Sequence, residues 1–363
     1  MKRLTVEIEK LAFNLELIKQ KAGNAKIIAV LKGNFYGLGA VEAAKFYVEQ
    51  GIDFFAVSRI EDAVELREAG IECDILLLCS TCIPEEASII IRYKLTAAVG
   101  SLESAVLLNG LAGQYNVKAN AHLKVDTGFG RYGFLYNETD KIAEAMRYSQ
   151  NIDFTGIFTQ FSDAFGRNKN HSLIQFERFN NVLAYLKSAS IDCKMAHISN
   201  SCALFRFPQF NLDAVRIGSA LTGRLVTVNK HGLKRTGYLE CTIQEIKWLP
   251  KGYNIGYGNA YKSKNPLRAA IIDVGTADGI ALEKSRELYR LIDKLRYLYN
   301  DIQLSEKNAL RCNINGRKAK VLGSTGFTST VIDVTDIDCK AGDICVFDTN
   351  PMYINPKIER LYK

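Results

Sequence analysis

The stretch KIIAVLKGNFYGLG, residues 26–39, places an apolar run directly before a lysine and a glycine-rich segment. A short run rich in isoleucine and valine predicts a buried strand, and the glycines that follow predict a turn toward a helix. Similar apolar runs recur at intervals of about 25 residues as far as residue 221. The segment around Lys32 is therefore the first unit of a series.

The series contains eight apolar runs separated by amphipathic stretches. They are KIIAVLK (26–32), DFFAVS (53–58), DILLLC (74–79), LTAAVG (95–100), KANAHLKVD (118–126), FTGIFTQF (154–161), KMAHISN (194–200) and AVRIGSA (214–220). In the stretch at 172–189, the apolar side chains fall on one helical face. Eight strands that alternate with helices predict an α/β fold, a (β/α)8 barrel of TIM type, with functional residues at the carboxyl ends of the strands.

After the eighth run, the pattern changes to β-rich segments separated by turn signals. The Asn315-Gly316 pair stands between two such segments and predicts a hairpin. The sequence thus predicts two domains, a barrel over residues 1–225 and a smaller all-β domain over residues 226–363. Leucines at helical spacing predict a helical insertion near 284–302, which is either solvated or acts as a lid or a subunit contact.

Composition and charge argue against several classes of protein. The 363 residues include no window that approaches the roughly 20 apolar residues of a membrane span. The net charge of +8 comes from basic residues dispersed among acidic ones, which does not favour nucleic-acid binding. Nine cysteines, an odd number, are typical of reduced thiols in the cytoplasm. Cys79 and Cys82 form an isolated CxxC pair, for which a structural role is favoured over a metal site.

Lys32 is the first candidate for chemistry. A lysine at the carboxyl end of a barrel strand can be desolvated, which lowers the pKa of its amine and makes it nucleophilic toward carbonyl compounds. A single lysine at a strand end is weak evidence. Tyr36, four residues later, and the motifs in the rest of the chain strengthen it.

Seven segments, in order along the chain, carry a resemblance to a known family. They are AVLKGNFYGLG (29–39), HLKVDTGFGRYGF (122–134), HISNSCALFRFP (197–208), VRIGSALTG (215–223), YGNAY (257–261), VGTADG (274–279) and NGRKAKVLG (315–323). Together they resemble the alanine racemase family, whose members are pyridoxal-phosphate enzymes with an N-terminal barrel and a C-terminal β-domain. Each motif is weak alone, whereas their order across both domains is specific.

The resemblance implies an isomerase of amino-acid metabolism, with pyridoxal 5'-phosphate as cofactor and a free α-amino acid as substrate. Lys32 would bind the cofactor covalently and act as one of the family's two catalytic bases. Arg216 would face the pyridine nitrogen, and Arg131 would lie near the substrate carboxylate. The phosphate would be held without a metal by the remaining residues of the motifs, which are Tyr36, Asn200, Ser201, Gly218 and Ser219. The family also implies a head-to-tail homodimer with shared active sites.

Two departures from the family pattern fall within one hydrogen-bonded relay. In the family, the second base is the tyrosine of VGYADG, and a histidine links it to the arginine at the pyridine ring. Here Thr276 holds the catalytic position of that tyrosine and Gln160 holds that of the histidine. An alkyl hydroxyl cannot replace a phenol, and losing one acid–base group typically costs about 10²–10⁴-fold in rate. Gly326-Phe327, Thr222 and the shortened tail around Tyr353 also depart from the pattern.

Three hypotheses remain open from the sequence. The first is a racemase or epimerase in which another phenol, that of Tyr132, Tyr257 or Tyr261, replaces the missing one. The second is a one-base enzyme that uses Lys32 alone for α-proton exchange, elimination, transamination or decarboxylation. The third is a cofactor-binding protein without turnover, against which the retention of Arg131 counts.

Overall fold

The computed structural model describes residues 1–166, 168–227, 229–282, 291, 294–295, 297–299 and 310–363. Two compact units make up the chain: residues 8–236, and residues 1–7 together with 237–363. Most of the helical insertion predicted at 284–302 lies outside the described residues. Within the described part of the chain, no helix has both the length and the apolar character needed to cross a membrane.

The elements are numbered in chain order. The strands are β1 (Lys2–Val6), β2 (Lys26–Val30), β3 (Phe54–Val57), β4 (Asp74–Leu77), β5 (Ala97–Val99), β6 (Ala119–Asp126), β7 (Phe134–Leu135), β8 (Ile152–Phe158), β9 (Met195–Asn200), β10 (Ala214–Ile217), β11 (Gly237–Leu249), β12 (Asn254–Ile255), β13 (Tyr261–Lys262), β14 (Leu267–Ile272), β15 (Arg311–Ile314), β16 (Arg317–Leu322), β17 (Thr330–Asp333), β18 (Ile344–Phe347) and β19 (Glu359–Tyr362). The α-helices are α1 (Ile8–Ala22), α2 (Lys32–Tyr36), α3 (Ala40–Glu49), α4 (Ile60–Glu68), α5 (Pro84–Arg92), α6 (Leu102–Gln114), α7 (Thr139–Tyr148), α8 (Asn170–Ser188) and α9 (Ser201–Arg206). Short 3-10 turns cover Pro208–Phe210, Tyr257–Asn259, Thr276–Asp278 and Pro351–Tyr353.

Eight strands of the first unit form a parallel barrel in the order β4-β3-β2-β10-β9-β8-β6-β5. A parallel bridge between Leu76 and Thr96 joins the two ends of this order, so that the barrel is closed. The eight strands coincide with the eight apolar runs, and the predicted (β/α)8 barrel is confirmed. Strand β7 is an addition that pairs with the end of β6.

The barrel interior is filled by alternate residues of its strands. Ile28 and Val30 of β2 pack with Phe54 of β3 and Phe158 of β8 in one buried cluster. Alternation arises because successive side chains of a strand point to opposite faces. Burying a side chain of this size contributes about 1.5–3 kcal/mol, so the cluster accounts for much of the stability of the barrel.

The second unit is built mainly from antiparallel strands. Strands β14-β17-β16-β15-β18-β11 are neighbours in this order, and a pairing between β14 and β11 closes the ring. The predicted hairpin is present, because Ile314 pairs with Arg317 across the turn at Asn315-Gly316. Asn315 and Gly316 have φ of 50° and 80°, the positive values that a two-residue hairpin turn of this type requires. The predicted all-β C-terminal domain is confirmed.

The first strand of the chain belongs to this second unit. Strand β1 pairs antiparallel with β11, where Leu4 lies opposite Leu239 and Val6 opposite Gly237. Leu4 and Val6 are fully buried. The structure therefore divides the chain differently from the predicted domains 1–225 and 226–363. Pairing with a strand so far along the chain leaves no local pattern, which is why periodicity alone assigned residues 1–7 to the barrel.

Candidate active site

The carboxyl ends of the barrel strands bring most of the predicted site residues together. Lys32 follows β2, Arg131 lies in the loop after β6, and Arg216 is part of β10. The other predicted residues of the barrel unit lie at the ends of the same neighbouring strands: Tyr36 after β2, Asn200 and Ser201 at β9, and Gly218 and Ser219 after β10. The exception is Thr276, which belongs to the second unit.

A group of hydroxyls and backbone N–H groups, which we call the cradle, consists of Tyr36, Ser201, Gly218, Ser219 and Ala220. The Ser201 hydroxyl accepts hydrogen bonds from the N–H of Gly218 at 3.1 Å and of Ala220 at 3.3 Å. The N–H of Ser219 donates to the Tyr36 hydroxyl. A Cβ added at Gly218 would overlap the Tyr36 hydroxyl, so only glycine fits there. Converging groups of this kind are suited to phosphate oxygens.

Tyr36 reaches the cradle because the chain makes a left-handed turn after Lys32. Gly33, Asn34, Phe35 and Tyr36 have φ between 50° and 61°. A residue other than glycine pays about 1–2 kcal/mol for this conformation, so contacts must hold the turn. The Asn34 side chain accepts a hydrogen bond from the N–H of Ala40 at 2.6 Å, and Phe35 is fully buried. These contacts fix the position of the Tyr36 ring before any ligand binds.

Asn200 determines where Ser201 lies. Its side-chain oxygen accepts hydrogen bonds from the N–H groups of Cys202 and Ala203, both at 3.0 Å, and so caps α9. The helix therefore begins at Ser201, whose hydroxyl faces the loop after β10. The side chain of Asn200 is engaged in this cap, and its contribution to the cradle is to position its neighbour.

Arg216 is 3% exposed, and hydrogen bonds hold its guanidinium. One guanidinium nitrogen donates to Nδ1 of His197 at 2.8 Å, and the other donates to the Thr159 carbonyl at 2.7 Å and to Oε1 of Gln160 at 3.0 Å. The guanidinium also lies 5.1 Å from the centre of the Phe158 ring. Burial lowers the pKa of Arg216 to about 9, which leaves it charged at neutral pH. The side chain at position 160 thus still contacts the arginine, as the resemblance predicted for a histidine.

Two buried histidines extend the chain of hydrogen bonds from Arg216. Nε2 of His197 lies 2.7 Å from Nδ1 of His122. Because Arg216 donates to Nδ1 of His197, the His197 proton is on Nε2 and is donated to His122. Burial lowers the pKa of both rings, that of His122 to about 3, and the charge of Arg216 acts in the same direction. Both histidines are therefore neutral and orient the arginine without a carboxylate.

The loop after β6 is built around Asp126. Its carboxylate accepts four backbone hydrogen bonds, from the N–H groups of Gly128, Phe129, Gly130 and Arg131, at 2.8–3.1 Å. Desolvation raises the pKa of Asp126, but these four bonds outweigh it and the pKa is lowered. The ionised carboxylate therefore folds the loop that carries Arg131, as the DTG-x-G-R pattern of the sequence requires.

Lys124 is a site residue that the sequence analysis missed. Its amine is buried, donates to the Leu78 carbonyl at 2.6 Å and lies 4.7 Å from the centre of the Phe158 ring. Burial and the charges of Arg216 and Arg131 together lower the pKa of Lys124 to about 7, against the opposing effect of Cys79 and Asp126. A signal was available, since His122, Lys124 and Asp126 are alternate residues of β6 and must share a face.

Lys32 has the environment that its position at a strand end predicts. Part of the Lys32 side chain is exposed, but burial by the surrounding protein lowers the pKa of its amine. The charges of Arg131 and Arg216 lower this pKa as well, whereas Cys79 raises it. A larger fraction of the amine is therefore unprotonated than for a lysine in water. An unprotonated amine can act as a nucleophile and as a base.

The remaining candidates lie in the second unit or beside the cradle. Thr276 begins a 3-10 turn, and its N–H donates to the Gly326 carbonyl at 3.0 Å. Tyr257 is 82% exposed, whereas Tyr261 is half-buried in β13. Thr222 is buried and donates to the Ser219 carbonyl at 2.8 Å. Thr222 therefore supports the cradle loop from within the barrel unit.

This geometry defines a class of protein, the pyridoxal-phosphate enzymes built on a (β/α)8 barrel. A lysine of lowered pKa stands at the end of one strand, and a glycine-dependent cradle suited to phosphate lies at the ends of the same and neighbouring strands. A buried arginine belongs to the strand next to that of the lysine. All three features fit the aldehyde, the phosphate and the ring of this cofactor.

Comparison with known proteins identifies the family. Residues 6–225 match the family model of the alanine racemase N-terminal domain, and residues 238–358 match that of the C-terminal domain. The chain belongs to the alanine racemase family. It is therefore an isomerase-like enzyme that depends on pyridoxal 5'-phosphate.

Individual relatives cover nearly the whole chain. The alanine racemase of Halothermothrix orenii is 34% identical over 343 residues, which is 93% of this chain and 84% of the relative. The alanine racemase of Carboxydothermus hydrogenoformans is 32% identical and covers 92% of both chains. The solved structure of alanine racemase from Clostridium difficile 630 is 27% identical, with a TM-score of 0.88 over 100% of this chain and 95% of that one.

Proposed function

We propose that the protein racemises a small free α-amino acid, with alanine as the first substrate to test. The observation that carries this proposal is the Lys32 amine of lowered pKa, which lies in one barrel mouth with the cradle. The names of the relatives support the choice of alanine, because several that are at least 30% identical to this chain are alanine racemases.

In this proposal, the cradle holds the phosphate of the cofactor through Tyr36, Ser201, Gly218 and Ser219. Arg216, charged and oriented by two neutral histidines, donates a hydrogen bond to the pyridine nitrogen. When bound, pyridoxal phosphate withdraws electrons from the substrate Cα and so acidifies its proton. The buried hydrogen bonds of Arg216 keep its guanidinium in one orientation.

Lys32 and Arg131 act on the substrate itself. Lys32 accepts the proton from one face of Cα and can return it to the same face. Arg131 binds the substrate carboxylate, for which its planar fork of donors is suited, and the Asp126 loop holds its backbone in place. Racemisation additionally requires a group that exchanges a proton on the opposite face.

The assembly that we propose is a head-to-tail homodimer. Each active site would then be completed by the C-terminal unit of the other subunit, which brings Thr276 of the partner subunit to the family's catalytic position. Sedimentation equilibrium across a range of concentrations tests the dimer. A monomer with full activity would contradict the shared site.

One-base chemistry is the second candidate function. The observation that favours it is the pair of Thr276 and Gln160, neither of which can exchange a proton as the family's tyrosine and histidine do. With Lys32 as the only base, the products would be an amino acid exchanged with retention of configuration, a keto acid or an amine.

The experiment that separates the two functions is incubation of the cofactor-loaded enzyme with single-enantiomer amino acids in D₂O. NMR follows the Cα–H signal and any new product, and chiral chromatography follows configuration. Loss of the Cα–H signal with appearance of the opposite enantiomer supports racemisation. Exchange with retained configuration, or a keto acid or amine, supports the one-base alternative.

A further inference from the structure

The loop after β6 lies across the barrel mouth from Lys32. Strands β2 and β6 are four places apart in the closed order of eight strands, in either direction around the barrel. Lys32 follows β2, and Tyr132 lies in the loop that leaves β6. Side chains from these two places that reach into the mouth approach a central ligand from opposite sides.

The Tyr132 side chain is directed toward that shared space. Its hydroxyl interacts with the Cys79 thiol, which stands two residues beyond the end of β4. The Tyr132 ring lies 5.8 Å from the guanidinium of Arg131 and 5.6 Å from the amine of Lys124. Cys79 and Arg131 are also among the neighbours whose charges act on Lys32. The phenol and the amine therefore share two neighbours within one mouth.

The backbone around Tyr132 is fixed on both sides. Before it, the Asp126 carboxylate binds the N–H of Arg131 at 3.1 Å. After it, Gly133 has a φ of 120°, and a Cβ there would lie 2.8 Å from the N atom of Asp126. Phe134 then pairs with Val125. Tyr132 is 38% exposed, so its position is determined by the loop while the ring remains accessible to substrate and solvent.

We propose that Tyr132 is the second proton-transfer residue of this enzyme, and that Cys79 is the positioning residue that holds and reprotonates it. The inference rests on the racemisation proposed above. In one direction, Lys32 accepts the Cα proton on its face and the Tyr132 hydroxyl gives its proton to the opposite face. The Tyr132 oxygen then takes a proton from the Cys79 thiol, which recovers one from water, and the Lys32 amine releases its proton to water. The reverse direction moves the same protons backward.

Local charges agree with this role. The titratable and charged groups near the phenol are Cys79, Arg131, Lys124 and Glu86. Cys79 and desolvation raise the pKa of Tyr132, whereas Arg131 lowers it, and the balance is a raised pKa. The phenol is therefore protonated at neutral pH and able to donate. The chain thus carries in its own barrel unit a phenol of the type that is missing at Thr276.

The test compares Tyr132→Phe with wild type in D₂O, starting separately from L-alanine and D-alanine. We expect racemisation, and exchange of the enantiomer whose proton faces Tyr132, to fall about 10²–10⁴-fold. Exchange of the other enantiomer, which depends on Lys32, should stay within about threefold of wild type. A merely structural defect would slow both enantiomers equally. Tyr136→Phe is the matched control, because that ring packs on Arg178 at 4.3 Å.

The outcomes separate this inference from the proposed function. If wild type and Tyr132→Phe racemise alanine at the same rate, the role of Tyr132 is wrong and the function stands. If wild type exchanges protons only with retention of configuration, both are wrong. Loss of exchange with both enantiomers in Tyr132→Phe also overturns the assignment to one face.

A second readout needs no turnover. In protein stripped of cofactor, the rate of Cys79 alkylation by iodoacetamide is measured by peptide mass spectrometry. Tyr132→Phe should raise that rate severalfold, because the hydroxyl no longer binds the thiol, and Tyr136→Phe should not. Equal rates in all three proteins would contradict the Tyr132–Cys79 pair.

The positioning role of Cys79 is tested by rescue. Cys79→Ala should slow racemisation about fivefold, which is the effect of one lost hydrogen bond. The pH profile should change only for the enantiomer whose proton faces Tyr132. Cys79→Ser keeps a hydroxyl that can hold the phenol and should recover most of the rate. Equal rates for the alanine and serine variants would show that Cys79 does not act through Tyr132.

Discussion

The cradle and the loop that carries Tyr132 stand at different places around one barrel mouth, and they differ in how much change they allow. At the cradle, backbone N–H groups and two hydroxyls pack so closely that Gly218 has no room for a Cβ. At the loop, the backbone is fixed by Asp126 while the Tyr132 ring is 38% exposed. We therefore expect cofactor binding to depend on tight backbone packing, and the reaction to depend on a few accessible side chains that can be exchanged without loss of the fold.

The largest expected effect comes from Lys32→Ala, which removes the base on the cradle side of the mouth. Exchange of both alanine enantiomers in D₂O should fall by about 10⁴-fold, the upper end of the range for an acid–base residue, because we propose that this amine also binds the cofactor. Lys26→Ala is the control. It lies at the start of the same strand and forms an exposed ion pair with Asp53 at 2.9 Å. Equal losses in the two variants would mean that the strand and not the amine is responsible.

The second effect tests the tight packing of the cradle. Gly218→Ala places a methyl group against the Tyr36 hydroxyl and should displace the ring. Loss of a hydrogen bond to a charged phosphate predicts an increase in the dissociation constant of pyridoxal phosphate of about 10–100-fold. Titration of the stripped protein with the cofactor, followed by absorbance, measures it. Gly110→Ala is the control, since nothing lies within 4 Å of a Cβ at that position of α6. An unchanged dissociation constant in Gly218→Ala would show that the cradle has room for a methyl group at this position.

The barrel could be predicted from the sequence because its strands leave a local pattern, and the residues of the cradle could be proposed because most of them stand in motifs that resemble a known family. All eight barrel strands were found from short apolar runs, since a strand buried on both faces reads as a continuous apolar segment. The cradle residues are separated by most of the barrel, but each stands in a short motif that places it at a strand end. The hairpin at Asn315-Gly316 could be predicted for the same reason, because its signal is confined to the two residues of the turn.

The contacts between distant strands could not be predicted. The hydrogen bonds from Arg216 to His197 and His122 join β10, β9 and β6, and the contact of Tyr132 with Cys79 joins loops after β6 and β4. Nothing in the spacing of these residues selects one pair over another. The same limit explains why the CxxC pair was read as structural, although one of its thiols lies at the mouth.

The third prediction concerns Lys124, which is buried on β6, the strand that leads into the loop carrying Tyr132. Its pKa is about 7 in the folded protein and near 10.5 when unfolded, so between these values the unfolded chain holds a proton that the folded chain lacks. Stability should therefore rise with pH across this window, by up to about 1.4 kcal/mol per unit from this group. The groups that act on it are Arg216, Arg131, Cys79 and Asp126.

Urea unfolding of wild type and Lys124→Met at several pH values measures that contribution. The difference in stability between the two proteins should shift steadily in favour of wild type from pH 7 to pH 10. Below about pH 6, Lys124 is protonated in both states and the difference should be constant, which serves as an internal control. A constant difference across the whole range would mean that Lys124 has no depressed pKa.

The smallest effect is expected for Cys82→Ser. Cys82 is exposed, and its only described polar contact is with the Ser101 hydroxyl at 3.8 Å, so the change in stability should stay within about 0.5 kcal/mol. Alanine exchange in D₂O should also be unchanged, in contrast to Cys79→Ala, because only Cys79 contacts the phenol. If Cys82→Ser slowed racemisation as much as Cys79→Ala, the two thiols would act as a pair. Tyr132 would then depend on the whole CxxC segment after β4 rather than on Cys79 alone.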